Sequence, residues 1–242
     1  MPAFDAEATI GESVASVLAQ TVPDLELIVV DDGSRAPAGE ALAEIRDPRL
    51  RILRHGRNRG TSAARNTALA AARAPLVSQL DADDLWEPDY LESILPCFDD
   101  PCVGLAYANA STIGSDKYPV LIRDTSPHPI DRFPELAADN PIPALTATMR
   151  TNGVRAVGGY AHWIWGVEDY HLYLKLAQAG WRFAFVDREL ARYRWPAPDR
   201  GRSHDNRRMR RNLLKLWVGF GLRHPLTPGS GRQIRTRLGD LG

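Results

Sequence analysis

Long hydrophobic runs and an excess of charge of either sign are both missing from this chain. No apolar run reaches the roughly 18 residues that a membrane-spanning helix needs, so no such helix is predicted. Basic and acidic residues number 30 each, so the net charge is zero and no overall field attracts nucleic acid. With 44% hydrophobic and 25% charged residues, the composition is that of an ordinary globular domain.

Cysteine is scarce as well. Cys97 and Cys102 are too few for a disulfide scaffold, and they lack the spacing and neighbouring ligands of a metal site. The opening residues Met1 to Asp5 have neither a basic start nor an apolar stretch, so no secretion signal is predicted. We therefore expect two reduced cysteines and a cytoplasmic protein.

Apolar runs alternate with amphipathic segments along the chain. Strands are predicted at residues 25–30, 50–53, 76–80, 103–107, 145–149 and 181–186. Helices are predicted at residues 10–20, 38–45, 62–73, 168–179 and 206–222, with one more opening at Pro88. Thr9 and Glu12 have the spacing of a helix capping box. The alternation predicts an α/β sheet with helices on both faces, and residues 110–143 are expected to form a functional loop region.

Two of the apolar runs stop abruptly at clustered carboxylates. Asp31 and Asp32 follow the run at 25–30, and Asp81, Asp83 and Asp84 follow the run at 76–80. Ligands bind outside the carboxyl ends of parallel strands, so the two clusters are expected to form one polar site. Carboxylates suit hard cations, and a hard cation suits a diphosphate.

A set of motifs, in this order and spacing, resembles the glycosyltransferases of family 2 over roughly residues 2–195. The motifs are Phe4-Asp5-Ala6, Gln20-Thr21, residues 29–34, Asn58-Arg59-Gly60, Ala64-Arg65-Asn66, residues 81–84 and Glu168-Asp169. The resemblance implies the GT-A fold, a three-layer α/β/α sandwich with a mainly parallel sheet. It implies a nucleotide-sugar half at about 1–108 and an acceptor half at about 109–205, followed by a basic tail at 206–242.

The resemblance assigns the donor site. It implies that Asp32 accepts a hydrogen bond from the uracil of a UDP-sugar, which fits a side chain that only accepts. Phe4 matches an aromatic position that stacks on the base, and Pro2 lies beside it. Taken alone, Asp31 and Asp32 would be equally consistent with a turn cluster.

Asp81, Asp83 and Asp84 match the DXD motif of that family. Three carboxylates this close repel one another unless a cation lies among them. The resemblance implies that Asp83 or Asp84 ligates Mn²⁺ or Mg²⁺ and that the other two contact the ribose or sugar. The alternative is a set of acidic caps for the helix at Pro88.

Three further residues are expected at the diphosphate. Arg65 follows a predicted helix start, where cations and amides attract phosphate, although a surface arginine is the alternative; Arg57 and Arg59 are weaker candidates. Arg194 and His204 match a region that closes over the diphosphate in the family. His204 would be a further metal ligand, although histidines of this kind more often lie on the surface without a ligand.

Glu168 and Asp169 open an amphipathic helix. Acidic residues in a first turn are stabilised by the helix dipole, which would explain them without function. The resemblance implies that Asp169 is the general base that deprotonates the acceptor hydroxyl and that Glu168 orients it. Trp163 and Trp165 precede the pair and are expected as a sugar platform or as core residues.

The two ends of the chain carry separate expectations. Arg207, Arg208, Arg210 and Arg211 precede an apolar stretch, which predicts either a helix on an anionic membrane surface or a helix packed on the domain. The family has an apolar central strand just before the position of Pro2, and Met1 stands where that strand would end. We therefore expect a gap or an irregular segment there, with the ligand site otherwise assembled.

Together these features predict an inverting, metal-dependent glycosyltransferase. It would move a sugar from a nucleotide-diphosphate sugar to a hydroxyl of a sugar, lipid-linked or other acceptor in cell-surface polysaccharide or glycoconjugate synthesis. The alternative is a non-catalytic nucleotide-sugar or carbohydrate-binding module of the same fold. A nucleotidyltransferase is disfavoured, because a glycine-rich phosphate loop with lysine is missing near the start.

Overall fold

A computed structural model describes residues 1–114, 136, 140–195, 209 and 211–216. The strands are β1 (Pro2–Ala3), β2 (Leu27–Asp31), β3 (Leu50–Arg54), β4 (Leu76–Ser78), β5 (Leu85–Trp86), β6 (Val103–Ile113), β7 (Thr148–Arg150) and β8 (Arg182–Arg194). The α-helices are α1 (Ile10–Leu18), α2 (Ala38–Ala41), α3 (Thr61–Ala71), α4 (Tyr90–Ile94), α5 (Thr151–Ala156) and α6 (Glu168–Gln178). Short 3-10 helices span Leu95–Asp99 and Ala144–Thr146.

The strands form two sheets. The first has the order β1-β2-β3 and is parallel throughout, and the second has the order β4-β7-β6-β8-β5. In the second sheet β6 and β8 pair in parallel, whereas β4, β7 and β5 pair antiparallel to their neighbours. The predicted α/β class is confirmed, with its parallel part concentrated in the first sheet and the β6–β8 pair.

Helices cover both faces of β2, which explains its continuous apolar run. Leu27 and Val29 belong to a core cluster with Ile10 and Val14 of α1. Ile28 and Val30 point to the other face and pack against α3. A strand that is buried on both faces has no polar alternation, so its end at Asp31 is a sharp boundary between core and site.

Several predicted boundaries were wrong. β6 and β8 continue well beyond their apolar runs because they hydrogen-bond to each other from Val103 to Arg194. The capping box does not form: the Thr9 hydroxyl donates to the Ala82 carbonyl at 2.8 Å, and no side chain caps α1. The long-range bond ties the start of α1 to the acidic segment at 81–84.

The described end of the chain packs on the domain. Residues 211–216 are helical, Leu216 is buried in a core cluster with Tyr170 and Leu174, and Leu213 packs against that cluster. The Asn212 side chain donates to the Trp165 carbonyl at 2.7 Å. This favours the packed helix over the membrane-bound one for these residues, and His204 lies outside the described residues. Among the helices that the structure describes, none is both long and apolar enough to cross a bilayer.

Candidate functional site

Asp31 closes the turn that follows β2. Its carboxylate accepts hydrogen bonds from the amides of Ser34 at 2.8 Å and Ala38 at 3.0 Å, and it pairs with Arg54 at 3.4 Å. Burial alone would raise the pKa of Asp31, but these hydrogen bonds and the arginine lower it below its ordinary value. The turn also needs Gly33, at φ 79°, because a Cβ there would lie 2.5 Å from the Arg57 carbonyl carbon.

Asp32 anchors the loop between β3 and α3. It is 3% exposed and accepts hydrogen bonds from His55 Nδ1 at 2.6 Å and from the amides of Arg59 and Gly60, the latter at 2.7 Å. The Asp32 amide donates to the Ala3 carbonyl at 2.8 Å, which places Phe4, the next residue, at the same end of the sheet. The Phe4 side chain is 47% exposed. The structure thus assembles Pro2, Phe4 and Asp32 at one edge, while their contacts with a base stay a prediction.

The acidic segment at 81–84 meets the C-terminal end of β8. Asp84, 3% exposed, accepts a hydrogen bond from the Arg194 amide at 2.9 Å, and Arg194 Nε donates to the Asp83 carbonyl at 2.8 Å. Arg194 also pairs with Glu12 of α1. Arg194 therefore holds the acidic segment by its main chain as well as its charge, while its predicted contact with a diphosphate stays a prediction.

Asp84 is poorly stabilised as an anion by the protein alone. Burial, followed by the charges of Asp81 and Asp83, raises its pKa to about 8. Within the described residues, no three His, Cys, Asp or Glu side chains form a ready-made cage for a metal. Mg²⁺ and Mn²⁺ need only one or two carboxylates when phosphate and water complete the coordination shell, so the donor set at Asp83 and Asp84 fits such an ion.

Arg65 connects the two halves of the site. This buried side chain donates to Asp81 Oδ1 at 2.8 Å and lies 3.5 Å from Glu168 Oε1. Burial by itself would lower its pKa, but Asp81 and Glu168 raise it, so Arg65 is a permanent cation. Its Nε atom has no hydrogen-bond partner among the described residues. The surface-arginine alternative is excluded by this burial.

A small cavity of about 140 Å³ adjoins these groups. Arg65, Asp81, Asp84 and Tyr193 contribute to its lining, together with Gln79 and residues 143–145. The cavity places an arginine and two carboxylates around one space. The sequence predicted a loop up to residue 143 and a strand from residue 145, whereas Ala144 and Leu145 line the cavity from the 3-10 helix Ala144–Thr146 and Pro143 directly precedes that helix.

Asn66 has a structural task that sequence reasoning missed. Its side chain donates to the Tyr160 carbonyl at 2.8 Å and accepts from the Tyr160 amide at 2.9 Å, which clamps the turn at Gly158 and Gly159. The Tyr160 hydroxyl donates to Gln79 at 2.5 Å. Adjacent residues of one motif therefore divide the work, since Arg65 binds the carboxylates and Asn66 positions the segment that leads to α6.

Glu168 and Asp169 stand at the first turn of α6. Glu168, 4% exposed, accepts from the Gly166 amide at 2.6 Å and faces Arg65. Asp169 accepts from the Tyr170 amide at 2.8 Å. Burial, then the charge of Glu168, raises the pKa of Asp169 to about 6, against a smaller opposing effect of Arg65. An aspartate with a pKa near neutrality is a better proton acceptor than an ordinary one.

The two tryptophans before α6 differ. Trp163 is 61% exposed, and its ring centroid lies 5.3 Å from that of His171 in an edge-on arrangement, whereas Trp165 is partly buried beside the 211–216 helix. The sequence left open a sugar platform or a core role for both. The exposure of Trp163 removes the core role for that residue.

The model of the family described as Glycosyl transferase family 2 matches residues 1–157. Among curated proteins, a pre-mycofactocin glycosyltransferase of Mycobacterium tuberculosis is 28% identical over 86% of this chain and 45% of its own length. A β-1,3-glucosyltransferase of Escherichia coli, WfgD, is 34% identical over 48% of this chain and 46% of its own length. The chain thus spans less than half the length of these relatives.

Solved structures share the fold. Residues 1–349 of Staphylococcus aureus TarS in complex with UDP-GlcNAc align with a TM-score of 0.75 at 16% identity, over 96% of this chain and 67% of that one. A mannosyltransferase from Pyrobaculum calidifontis with GDP-Man and Mn²⁺ aligns with a TM-score of 0.69 at 24% identity, over 95% and 64%. The predicted GT-A fold is confirmed by these neighbours.

Proposed function

The chain belongs to glycosyltransferase family 2, and from that premise we propose that it transfers a sugar from a nucleotide-diphosphate sugar to an acceptor hydroxyl with inversion at the anomeric carbon. The observation that carries the proposal is the pair of ion pairs that link Asp81 through Arg65 to Glu168. It joins the acidic segment at 81–84, where Asp83 and Asp84 suit a cation, with Glu168 and Asp169, which suit proton transfer.

The donor is a UDP-sugar in this proposal. Phe4 stacks on the base, with Pro2 beside it, and Asp32 and its loop receive the base edge. This assignment is supported by the clustering of Phe4 and Asp32 at the end of β2. Solved neighbours of the same fold carry UDP-GlcNAc or GDP-Man, so the donor screen compares sugars linked to different nucleotides.

A divalent cation, Mn²⁺ or Mg²⁺, would neutralise charge on the leaving diphosphate when bound. Asp83 and Asp84 are the proposed protein ligands, and His204 is a further one. Arg194 keeps Asp84 oriented through its amide, and Arg65 holds Asp81 so that its carboxylate faces the sugar or ribose. Arg65 also brings positive charge to where the diphosphate develops negative charge.

Asp169 is the proposed base. It takes the proton from the acceptor hydroxyl while that oxygen attacks the anomeric carbon opposite the leaving group. Burial, and then the charge of Glu168, raises the pKa of Asp169, and Glu168 is itself fixed by Arg65 and the Gly166 amide. Trp163, exposed before the base, offers an apolar face on which an acceptor sugar can stack.

The acceptor belongs to cell-surface polysaccharide or glycoconjugate synthesis in this proposal, as a sugar or a lipid-linked molecule on the cytoplasmic side. The name of one relative specifies a diphosphoundecaprenol-linked acceptor. Contact with the membrane through the basic C-terminal segment remains a prediction, because most of that segment lies outside the described residues.

The proposal is tested by a donor screen. We expect release of free nucleotide from one UDP-sugar with Mn²⁺ and an acceptor extract, above the rate with GDP- and TDP-sugars. A chain that binds nucleotide but releases none with every donor and acceptor tried would support the alternative of a non-catalytic binding module.

The pH dependence of transfer is a sharper prediction. Because Asp169 must be ionised to accept a proton and its pKa is raised to about 6, kcat/KM should rise with pH through about 6 and level off above pH 7. Below the pKa the rate should fall about tenfold per pH unit.

The Glu168→Gln variant tests the assignment of the acidic limb of that pH profile, which is the rise of kcat/KM through about pH 6. It removes the like charge that contributes to the raised pKa of Asp169, so the limb should move toward lower pH. A limb near pH 4 in the parent protein, or one that Glu168→Gln leaves in place, would contradict the assignment of the base.

A further inference from the structure

Residues 161–167 lead into α6, and their geometry decides how Trp163 stands relative to the acidic pair at the start of that helix. Trp163 is exposed in this segment, and α6 begins directly after it. The start of the segment is tied to α3, because the Ser62 hydroxyl donates to the Ala161 carbonyl at 2.9 Å. The later part of the segment lies against the helical residues near the end of the described chain.

These helical residues turn one face toward the 161–167 segment. The face has the helical spacing i, i+3, i+4 and i+7, with Met209, Asn212, Leu213 and Leu216. Its apolar side chains pack in or against the core cluster that contains Ile164 and Val167. A Cβ on Gly166 would lie 3.7 Å from Met209 Cγ, so helix and segment are in van der Waals contact. The opposite face, at Arg211, Leu214 and Lys215, is exposed.

Asn212 is a polar residue on this otherwise apolar face. It is 5% exposed, and its side-chain Nδ2 donates to the Trp165 carbonyl at 2.7 Å. A leucine of similar shape would fill the same space without the cost of desolvating an amide. The presence of an amide is therefore explained by the direction that its hydrogen bond gives to the Trp165 carbonyl.

The Trp165 carbonyl and the Gly166 amide belong to one planar peptide group. The oxygen of this group accepts from Asn212, and its N–H donates to Glu168 Oε2 at 2.6 Å. Because the group is rigid, a rotation of its plane would break both hydrogen bonds together. Gly166, at φ 82°, adopts a backbone conformation that a residue with a side chain would strain to reach. Asn212 therefore holds the donor that fixes the Glu168 carboxylate.

Glu168 passes this constraint to the rest of the site. Its other oxygen, Oε1, lies 3.5 Å from Arg65, so the carboxylate is held from two sides. The next residue, Asp169, is the proposed base. An error in the orientation of the 165–166 peptide would thus move Glu168 and disturb the surroundings of Asp169.

We propose that Asn212 is a positioning residue, which orients the 165–166 peptide from the C-terminal helix and, through Glu168, the acceptor side of the site. The inference rests on the proposed function, in which Asp169 takes the proton of the acceptor hydroxyl. The helical residues 211–216 then serve the reaction as well as the packing of the domain.

The test variant is Asn212→Leu, and its matched control is Lys215→Ala on the exposed face of the same helix. Leucine keeps the size of the side chain but cannot donate, so the variant should fold and bind the nucleotide-sugar as the parent protein does. Its kcat for transfer should fall by roughly 10- to 100-fold, because small displacements of catalytic groups are that costly. In a Glu168→Ala background, which lacks the acceptor of the Gly166 N–H, Asn212→Leu should cause little further loss.

A second measurement needs neither donor nor acceptor. Hydrogen exchange of the Gly166 amide, followed by NMR, should be on the order of tenfold faster in Asn212→Leu than in the parent and unchanged in Lys215→Ala. Unchanged Gly166 exchange in Asn212→Leu would overturn the proposal. An equal loss of kcat in Lys215→Ala, or a loss in the double variant that is the product of the two single losses, would also overturn it. If the parent transfers no sugar, the proposed function fails, whereas the exchange rates still decide whether Asn212 holds this peptide.

Discussion

Replacing Asp169 by asparagine is expected to reduce sugar transfer by about 10²–10⁴-fold while leaving the affinity for the nucleotide-sugar unchanged. The substitution keeps the shape of the side chain and can still receive the hydrogen bond from the Tyr170 amide. It removes only the carboxylate that is the proposed proton acceptor. The measurement pairs steady-state transfer rates with donor titration by calorimetry.

Glu44→Gln is the matched control for Asp169→Asn. Glu44 is an exposed carboxylate in the segment after α2, remote in sequence from the acidic segment at 81–84 and from Asp169, so its removal should change neither rate nor affinity. Transfer at the parent rate by Asp169→Asn would reduce Asp169 to a helix-start residue. A parallel loss of donor affinity would instead place Asp169 in the donor site.

Replacing Asp84 by asparagine should abolish the dependence of nucleotide binding on divalent metal. In the parent, UDP should bind much more tightly with Mn²⁺ than with EDTA, because Asp83 and Asp84 would hold a cation that offsets the charge of the phosphates. In the variant the two titrations should give the same weak affinity, and transfer should be lost with it. Equal affinities in the parent protein under both conditions would refute the metal role.

The same variant loses metal-dependent binding, but without metal it should be more stable than the parent protein. A carboxyl whose pKa is raised to about 8 in the folded protein stabilises the fold fully below its unfolded pKa, near 4, and that stability is lost as pH rises through 8. Asparagine suffers no such loss. In EDTA at pH 8–9, the free energy of unfolding of Asp84→Asn should therefore exceed that of the parent by several kcal/mol. This difference should vanish toward pH 4.

Mn²⁺ distinguishes this effect from a general change in packing. The cation should raise the melting temperature of the parent at pH 8, since it relieves the repulsion among the three carboxylates. It should leave Asp84→Asn unchanged. A variant less stable than the parent in EDTA at pH 9 would show that Asp84 is satisfied by the protein itself.

Much of the site could be predicted because its chemistry follows strand ends. The buried run at Leu27–Asp31 has apolar residues for both faces of a sheet, so the chain itself specifies where the strand stops and the carboxylates begin. In the same way, the apolar run at 76–80 indicated that Asp84 follows a strand, and the alternation of such runs with amphipathic segments predicted the α/β class. Motif spacing added Arg65, Glu168 and Asp169, which lie far apart in sequence and carry no local signal of a shared site.

Other features were decided only by tertiary contacts. β8 continues through polar residues to Arg194 because β6 offers it hydrogen bonds along its whole length, which no periodicity in the sequence records. Thr9 has the spacing of a helix cap, but its hydroxyl donates to the Ala82 carbonyl because the fold brings that carbonyl within 2.8 Å.

The electrostatics of the site likewise depend partly on the sequence and partly on the tertiary structure. The sequence by itself determined which carboxylates are available and that they cluster at strand ends. Only the tertiary structure decided that Arg65 is buried between Asp81 and Glu168 and that the pKa values of Asp84 and Asp169 are raised. The physical reason is that burial and charge neighbours depend on which side chains meet across elements distant in sequence, whereas strand patterning depends on neighbours along it.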